Sequence, residues 1–313
     1  MNPRSALAFV LIGLLWGSAW IPTSEVLKQI SGFQAGALRF AVAAVFTATL
    51  AVIARLLPGK TQARFSVALI LDALVLAITS LSLPYALIVW ASGHISPAAI
   101  PVLFAFMPLI ALLIEGEGAG IIPALVIGIS GAVLLVAPGL SFSIAQLGGV
   151  LLALGAVIFG AFSLIYARQR LRGADILLSS ALQLTFAAIF LGLLSYLTER
   201  THPWNLNTAS ISWLFTLGIA VSGITLPLLY WLLTKIQAWQ AALLQWISTL
   251  VAVAEAVWFL RARPSGSQAF AAAAILGAVL WLLYRRGPVT SPVTIPAFRR
   301  SAASDSEVGS KYR

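Results

Sequence analysis

The amino-acid sequence predicts an all-α integral membrane protein: ten transmembrane helices arranged as two inverted five-helix repeats, with both termini cytoplasmic. Three observations lead there: an apolar composition, apolar blocks about as long as a bilayer crossing, and self-similarity between the two halves. The 313 residues are 60% hydrophobic and 9% charged, with a mean hydropathy of +1.00. A soluble domain carries roughly 25% charged residues, which its water-facing surface needs. Lipid is therefore the solvent. The blocks match the ~20 residues a helix needs to cross a hydrocarbon core of ~30 Å.

Taken in order, windows bounded by charge, Pro or Gly place spans at 6–27, 33–57, 66–91, 95–114, 120–138, 146–167, 175–197, 209–233, 237–260 and 268–284. In hydrocarbon every backbone polar group needs a partner within its own segment, so continuous apolar runs are helices. A β-barrel would show short alternating segments instead. Asn2-Pro3-Arg4 before an apolar run resembles a signal peptide. No small-residue cleavage site follows, however, and further spans do, so the first span is expected to be retained.

The net charge of +10 is a topology signal rather than a nucleic-acid patch. With the N-terminus inside, the inner side holds Arg4, Arg55, Lys60, Arg64, Arg168, Arg170, Arg172, Lys235 and the six basic residues from Arg285 onward. The outer side holds only Lys28, Arg200, Arg261 and Arg263. That asymmetry puts both termini in the cytoplasm. The inner loop Glu115-Gly116-Glu117-Gly118 has no basic residue and carries no orientation signal. From Gly287 the chain is rich in Pro, Ser and charge, which reads as a disordered basic tail over 287–313. The absence of Cys excludes disulfides, thiolate metal sites and Cys nucleophiles.

The chain also matches itself at an offset of 143 residues. Trp16-Gly17-Ser18 meets Phe159-Gly160-Ala161, Leu83-Pro84 meets Leu226-Pro227, and Ala98-Ala99 meets Ala241-Ala242. With small shifts, Ala37-Leu38-Arg39 meets Ala181-Leu182-Gln183, and Gly131-Ala132-Val133-Leu134 meets Gly277-Ala278-Val279-Leu280. The repeats are 1–142 and 143–286. An odd number of spans per repeat makes the second enter from the opposite face. Inverted repeats place a substrate site near the midplane and support alternating access by rocking.

Leu15-Trp16-Gly17-Ser18, Leu38-Arg39-Phe40, Pro108, Gly131-Ala132-Val133-Leu134-Leu135 and Gly277-Ala278-Val279-Leu280 stand in an order that resembles the drug/metabolite transporter superfamily. The type is the bacterial one with two EamA domains, and the likeness covers nearly everything before the tail. Two departures stand in the second half: Thr249-Leu250-Val251 where a Pro is expected in span nine, and Arg261-Ala262-Arg263 where Gly-Glu usually precedes the last span. The resemblance implies export of metabolites, amino acids or drug-like compounds, with spans five and ten peripheral to a central cavity.

Candidate residues follow from what lipid penalises. A charge at a helix centre costs roughly 2.5–3.5 kcal/mol on insertion scales, so Arg39 and Glu255 read as functional. Each lies six residues from the outer end of its span, ~9 Å deep. They are placed to pair, to bind a substrate carboxylate through Arg39, or to form a proton-sensitive gate. A structural pair, or an Arg39 that snorkels to the headgroups, is the competing reading. Gln245, Ser248, Ala252 and Glu255 form one polar stripe on span nine. Pro97, Pro101 and Pro108 share a face of span four with Phe104, while Pro84 and Pro227 mark matched kinks in spans three and eight. Trp16, Tyr85, Tyr230 and Trp246 lie deep enough for an aromatic pocket. Trp90, Trp239 and Trp258 suit the interfacial belt.

The expected site is thus Trp16, Arg39, Pro84, Tyr85, Pro101, Phe104, Pro227, Tyr230, Gln245, Trp246 and Glu255. No cofactor is expected: a P-loop is missing, and His94 and His202 have no metal-ligand partner at useful spacing. The expected partners are a small-molecule substrate, protons and the lipid bilayer of the cytoplasmic membrane. Gly128 and Gly131 suit a homodimer contact and packing within one chain equally. A membrane enzyme acting on lipids would need clustered Asp, Glu or His, whereas the nine acids are scattered. A scaffold would need neither repeats nor buried charge. Because native Cys is absent, a single introduced one reports topology cleanly. In intact cells an impermeant maleimide is expected to label Thr201→Cys and spare Ser306→Cys; labelling of the second position reverses the orientation.

Overall fold

The computed structural model describes residues 2–56, 66–95, 99–115, 122–136, 146–202, 204–259 and 266–285. Pro97, Arg261, Arg263 and the tail from Gly287 fall outside them. The described residues are helical, with no β-strand among them. In chain order the helices are α1 (Pro3–Gly17), α2 (Trp20–Leu27), α3 (Gly32–Leu56), α4 (Val67–Leu76), α5 (Leu83–Ser92), α6 (Ala99–Phe104), α7 (Met107–Glu115) and α8 (Ile122–Val136). There follow α9 (Leu147–Arg170), α10 (Ile176–Thr198), α11 (Thr208–Thr216), α12 (Thr225–Leu233), α13 (Ala238–Ala242), α14 (Leu244–Phe259) and α15 (Gly266–Arg285). Six stretches among the described residues are long and apolar enough to cross a membrane: Pro3–Leu27, Gly32–Leu56, Val67–Ser92, Leu147–Arg170, Ile176–Thr198 and Thr208–Leu233. Within the apolar windows expected at 95–114, 120–138, 237–260 and 268–284, the described residues form α6 and α7, α8, α13 and α14, and α15.

Helix starts follow local chemistry. Asn2, Ser66, Asp175 and Asn207 each accept a backbone N–H three residues on, at 2.8, 3.1, 3.1 and 2.8 Å. Such short polar side chains satisfy N–H groups that the first turn leaves unpaired. The interruptions follow Pro. A π-helical segment, Ala77–Ser82, joins α4 to α5, and a second, Leu217–Ile224, joins α11 to α12. Pro84 and Pro227 stand in the first turn of the helices that follow them. Pro removes the bond to the carbonyl four residues back; for Pro227 that carbonyl is Gly223's, which Thr47 Oγ1 reaches at 3.3 Å. Span four breaks at 105–106, just ahead of Pro108.

The packing comes in matched sets. α3 runs along α10, and α8 along α15. The second π segment packs on α3, as the first packs on α10. α1 packs on α12 and α14, as α9 packs on α5 and α7. Small residues allow these approaches: Ala153, Ala156, Val157 and Ala161 of α9 are fully buried. Outward, Leu7, Val45, Ile189 and Phe270 are at least 63% exposed, a surface suited to lipid rather than water.

Two interfaces depend on glycine for clearance. A Cβ on Gly128 would stand 2.0 Å from the Trp246 ring, and one on Gly218 would stand 2.6 Å from Val42. Gly131 packs on Ile275 of α15. Both Gly128 and Gly131 are thus used within the chain. Trp258, 82% exposed, and Trp90, 42% exposed, keep outward positions, but Trp239 is fully buried and corrects the belt assignment. Its indole donates to Gln237, and its backbone N–H donates to Glu115 at 3.1 Å. Overpacking a filled interior costs about 1–3 kcal/mol. Gly128→Val is therefore expected to lower the melting temperature of the purified protein, whereas Gly277→Ala, which meets nothing within 4 Å, leaves it unchanged.

Candidate functional site

The interrupted helices surround three adjoining chambers of about 250, 130 and 200 Å³. Phe104 lines all three, and Trp16, Ser80, Leu81, Pro84 and Leu226 line the first two. The largest chamber holds the charge. Arg39 of α3 reaches across to the second π segment, where its Nε donates to Ser222 Oγ at 2.8 Å. The guanidinium lies 5.7 Å from the centre of the Phe40 ring. Phe40 in turn meets Tyr85 edge-on, with ring centroids 5.8 Å apart, and the Tyr85 hydroxyl donates to the Gly32 carbonyl at 3.2 Å. Trp16 closes the same wall by donating its indole N–H to Thr225 Oγ1 at 3.0 Å. First-half and second-half residues are thus joined by two hydrogen bonds inside one cavity.

Most of the residues expected from sequence line these chambers. Trp16, Arg39, Pro84, Tyr85 and Phe104 line the first; Tyr230 and Gln245 the second; Pro101, Phe104 and Gln245 the third. Tyr230 donates to Gln183, which stands where the first half has Arg39. Three stand elsewhere. Trp246 is fully buried, and its indole N–H donates to the Ala105 carbonyl at 3.0 Å, at the break in span four. Pro227 shapes α12 without lining a chamber. Glu255 lies beyond Ser248, the last polar residue of its stripe to line the third chamber, and its Oε2 is buried without a hydrogen-bond partner. No ion pair joins Arg39 to Glu255 among the described residues.

Residues 147–284 match the model of the EamA-like transporter family. The second half of this chain is an EamA-like transporter domain. Over 308 residues, 91% of this chain and 95% of the relative, it is 26% identical to protein PagO of Salmonella typhimurium strain LT2. It is 24% identical to an uncharacterized transporter of Buchnera aphidicola subsp. Schizaphis graminum, over 68% of this chain and 71% of that one. A protein of known crystal structure superposes with a TM-score of 0.77 at 21% identity, covering 91% of this chain and 99% of its own, which shows the fold.

The EamA-like domain is tied to the first half by charges that the sequence had marked only as topology. Glu115, 3% exposed at the end of α7, pairs with Arg168 of the domain at 3.3 Å. The same carboxylate accepts the backbone N–H groups of Ala238 and Trp239 at 3.3 and 3.1 Å, and Arg168 Nε donates to the Ile236 carbonyl at 3.1 Å. Beside it, Asp72 of α4 accepts from Arg170 Nε and from the Tyr166 hydroxyl, each at 2.8 Å. All of these lie at one end of the bundle. On the other face Glu199, in the EamA-like domain, accepts from Ser31 Oγ at 2.6 Å and from the Phe33 and Gln34 N–H groups at 3.1 and 3.2 Å.

Asp72 was findable as an acid inside an apolar window. Arg168 and Arg170 were hidden, because one spacing serves a cytoplasmic loop and a clamp alike. Removing one member of a buried ion pair costs about 3–5 kcal/mol, because the other charge is left buried. Arg168→Met alone should therefore lower the melting temperature sharply, and adding Glu115→Gln, which keeps an acceptor for Ala238 and Trp239, should recover part of it. A double variant no more stable than the single one breaks this coupling.

Proposed function

We propose that the chain is a secondary transporter that moves small metabolites across the cytoplasmic membrane by alternating access. Ten transmembrane helices form inverted repeats at 1–142 and 143–286, and the cargo is exported amino acids or related carboxylate-bearing compounds. The observation that carries this reading is the cavity at the breaks of both halves, whose wall is closed by Arg39–Ser222 and Trp16–Thr225. A site made of two half-sites is what rocking of one repeat against the other requires. The matched helix pairings, 143 residues apart in sequence, support the repeat. The buried clusters around Glu115 and Asp72 support a cytoplasmic closure that separates when the cavity turns inward.

Glu255 is the candidate for proton coupling, because one of its carboxylate oxygens is buried without a partner. The cavity is lined within a single chain, so a homodimer is no part of this mechanism. A second reading, export of hydrophobic drug-like compounds, draws on the apolar walls supplied by Phe104, Leu81, Ile88 and Leu226. It needs neither charge.

Reconstitution in liposomes decides between them. With a labelled panel of amino acids and related metabolites, wild-type protein is expected to give saturable uptake that Arg39→Ala reduces at least tenfold. Glu255→Gln is expected to abolish its response to a pH gradient. Uptake of hydrophobic cations undiminished by Arg39→Ala moves the assignment to the second reading. No saturable uptake of any compound removes the transporter reading.

A further inference from the structure

We propose that the chamber around Arg39 takes an organic monoanion, an acid group on an apolar body, in preference to the zwitterion or amine of the same skeleton. This rests on the transporter reading of the same cavity and narrows its cargo from amino acids and related compounds to the related carboxylate-bearing compounds that lack the ammonium. Arg39 is the only charged side chain among the described residues that line the three chambers. Its Nε is used by Ser222, and no described residue accepts from its two terminal amino groups. The acids within or beside the bundle are engaged elsewhere. Asp72 holds Arg170 and Tyr166, Glu115 holds Arg168, Asp175 faces Arg55 at 3.6 Å, and Glu199 caps α3. Glu255 stands outside the lining.

A guanidinium with its fork unclaimed matches two coplanar oxygens, the geometry of a carboxylate, and phosphonate shares that chemistry. An ammonium finds the opposite. The chamber has no carboxylate to receive it and offers only neutral hydroxyls, of which Ser80 donates to the Leu76 carbonyl, Thr225 to Val221 and Tyr85 to Gly32, while Ser222 accepts from Arg39. Those oxygens keep some capacity to accept, but they carry no charge. In an α-amino acid the ammonium sits next to the carboxylate and would be held close to Arg39, where like charges repel in a medium of low dielectric. The second half offers no compensation, since the residue equivalent to Arg39 is the neutral Gln183. The rest of the chamber, with Trp16, Leu81, Ile88 and Leu226, suits an apolar body.

The test is calorimetric titration of the whole chain in lipid nanodiscs with five compounds on one skeleton: 3-phenylpropionate, 2-phenylethylphosphonate, phenylalanine, phenethylamine and 3-phenylpropanamide. The propionate is expected to bind at least tenfold more tightly than phenylalanine, the amine or the amide. The phosphonate arm distinguishes a carboxylate-shaped site from a general anion site, and either result fits provided an acid leads. Arg39→Gln is expected to bring acid and amide to equal affinity, and an unchanged melting temperature of the variant shows that the fold around the chamber is intact. Arg39→Lys should retain part of the preference.

Phenylalanine binding as tightly as the propionate overturns the proposal, as does an acid preference that survives Arg39→Gln, or an acid arm without binding at millimolar concentration. Acids that bind with this preference but are not taken up by liposomes refute transport and leave the site standing. Saturable uptake without acid preference does the reverse.

Discussion

An unpaired backbone N–H in hydrocarbon costs several kcal/mol, and two helices of this chain meet that demand with a glutamate from the opposite half. Glu199 receives the first N–H groups of α3, and Glu115 those of α13. Each carboxylate also answers the positive end of the helix dipole it caps. The arrangement makes the halves interdependent, because the start of a helix in one is completed only by the end of a helix in the other. Arg168 then neutralises Glu115 and reaches the Ile236 carbonyl, so one buried pair fixes α7, α9 and α13 together. Around that anchor the rest of the bundle can be apolar and closely packed.

The cavity is the complement of this rigidity. Helices α3, α9 and α10 run unbroken, whereas the path is interrupted between α1 and α2, at the two π segments, at 105–106 and at Leu243. Interruptions expose main-chain groups, which membrane proteins tolerate only where protein or a cavity meets them. Here both happen. Thr47 takes the Gly223 carbonyl, Trp246 takes that of Ala105, and the remaining breaks face the chambers that Ser80, Phe104 and Gln245 line. Gly218 lets the second π segment approach α3 closely enough for Ser222 to reach Arg39. The site is therefore placed by Pro and Gly in the backbone as much as by the side chains that line it.

That explains which parts were legible in the sequence. Apolar windows give the helices because lipid leaves the backbone no alternative, and Pro84 and Pro227 mark the interruptions because Pro carries no N–H. Arg39 was readable as a charge out of place in lipid, Trp16 and Tyr85 as aromatics too deep for the belt, and Phe104 from its place among prolines, and all four line the cavity. Trp239 and Trp246 misled because an indole serves a headgroup belt, a pocket and a core equally well. Only the partners decide, Gln237 for one and the Ala105 carbonyl for the other. Glu115, in a loop without orientation signal, and Arg168, in a basic cluster that did carry one, gave no hint of each other, since nothing in one sequence pairs residues 53 positions apart.

Charge bookkeeping in the bundle then isolates two residues. Asp72 pairs with Arg170 and Glu115 with Arg168, and Asp175 faces Arg55 at the ends of α10 and α3. Glu199 has no ion pair among the described residues but is taken up by Ser31 and the first N–H groups of α3. That leaves Arg39 and Glu255 as the charges within the bundle that neither an ion pair nor a helix start engages among the described residues. A lone charge inside a bundle is unfavourable, and the energy it withholds from the empty protein is released when a counter-charge arrives. Arg39 faces a cavity large enough to admit one, while Glu255 lies outside the lining with one carboxylate oxygen buried and without a hydrogen-bond partner. The two are therefore not interchangeable members of a pair. Only Arg39 stands on a cavity wall, and it comes from the first half of the chain.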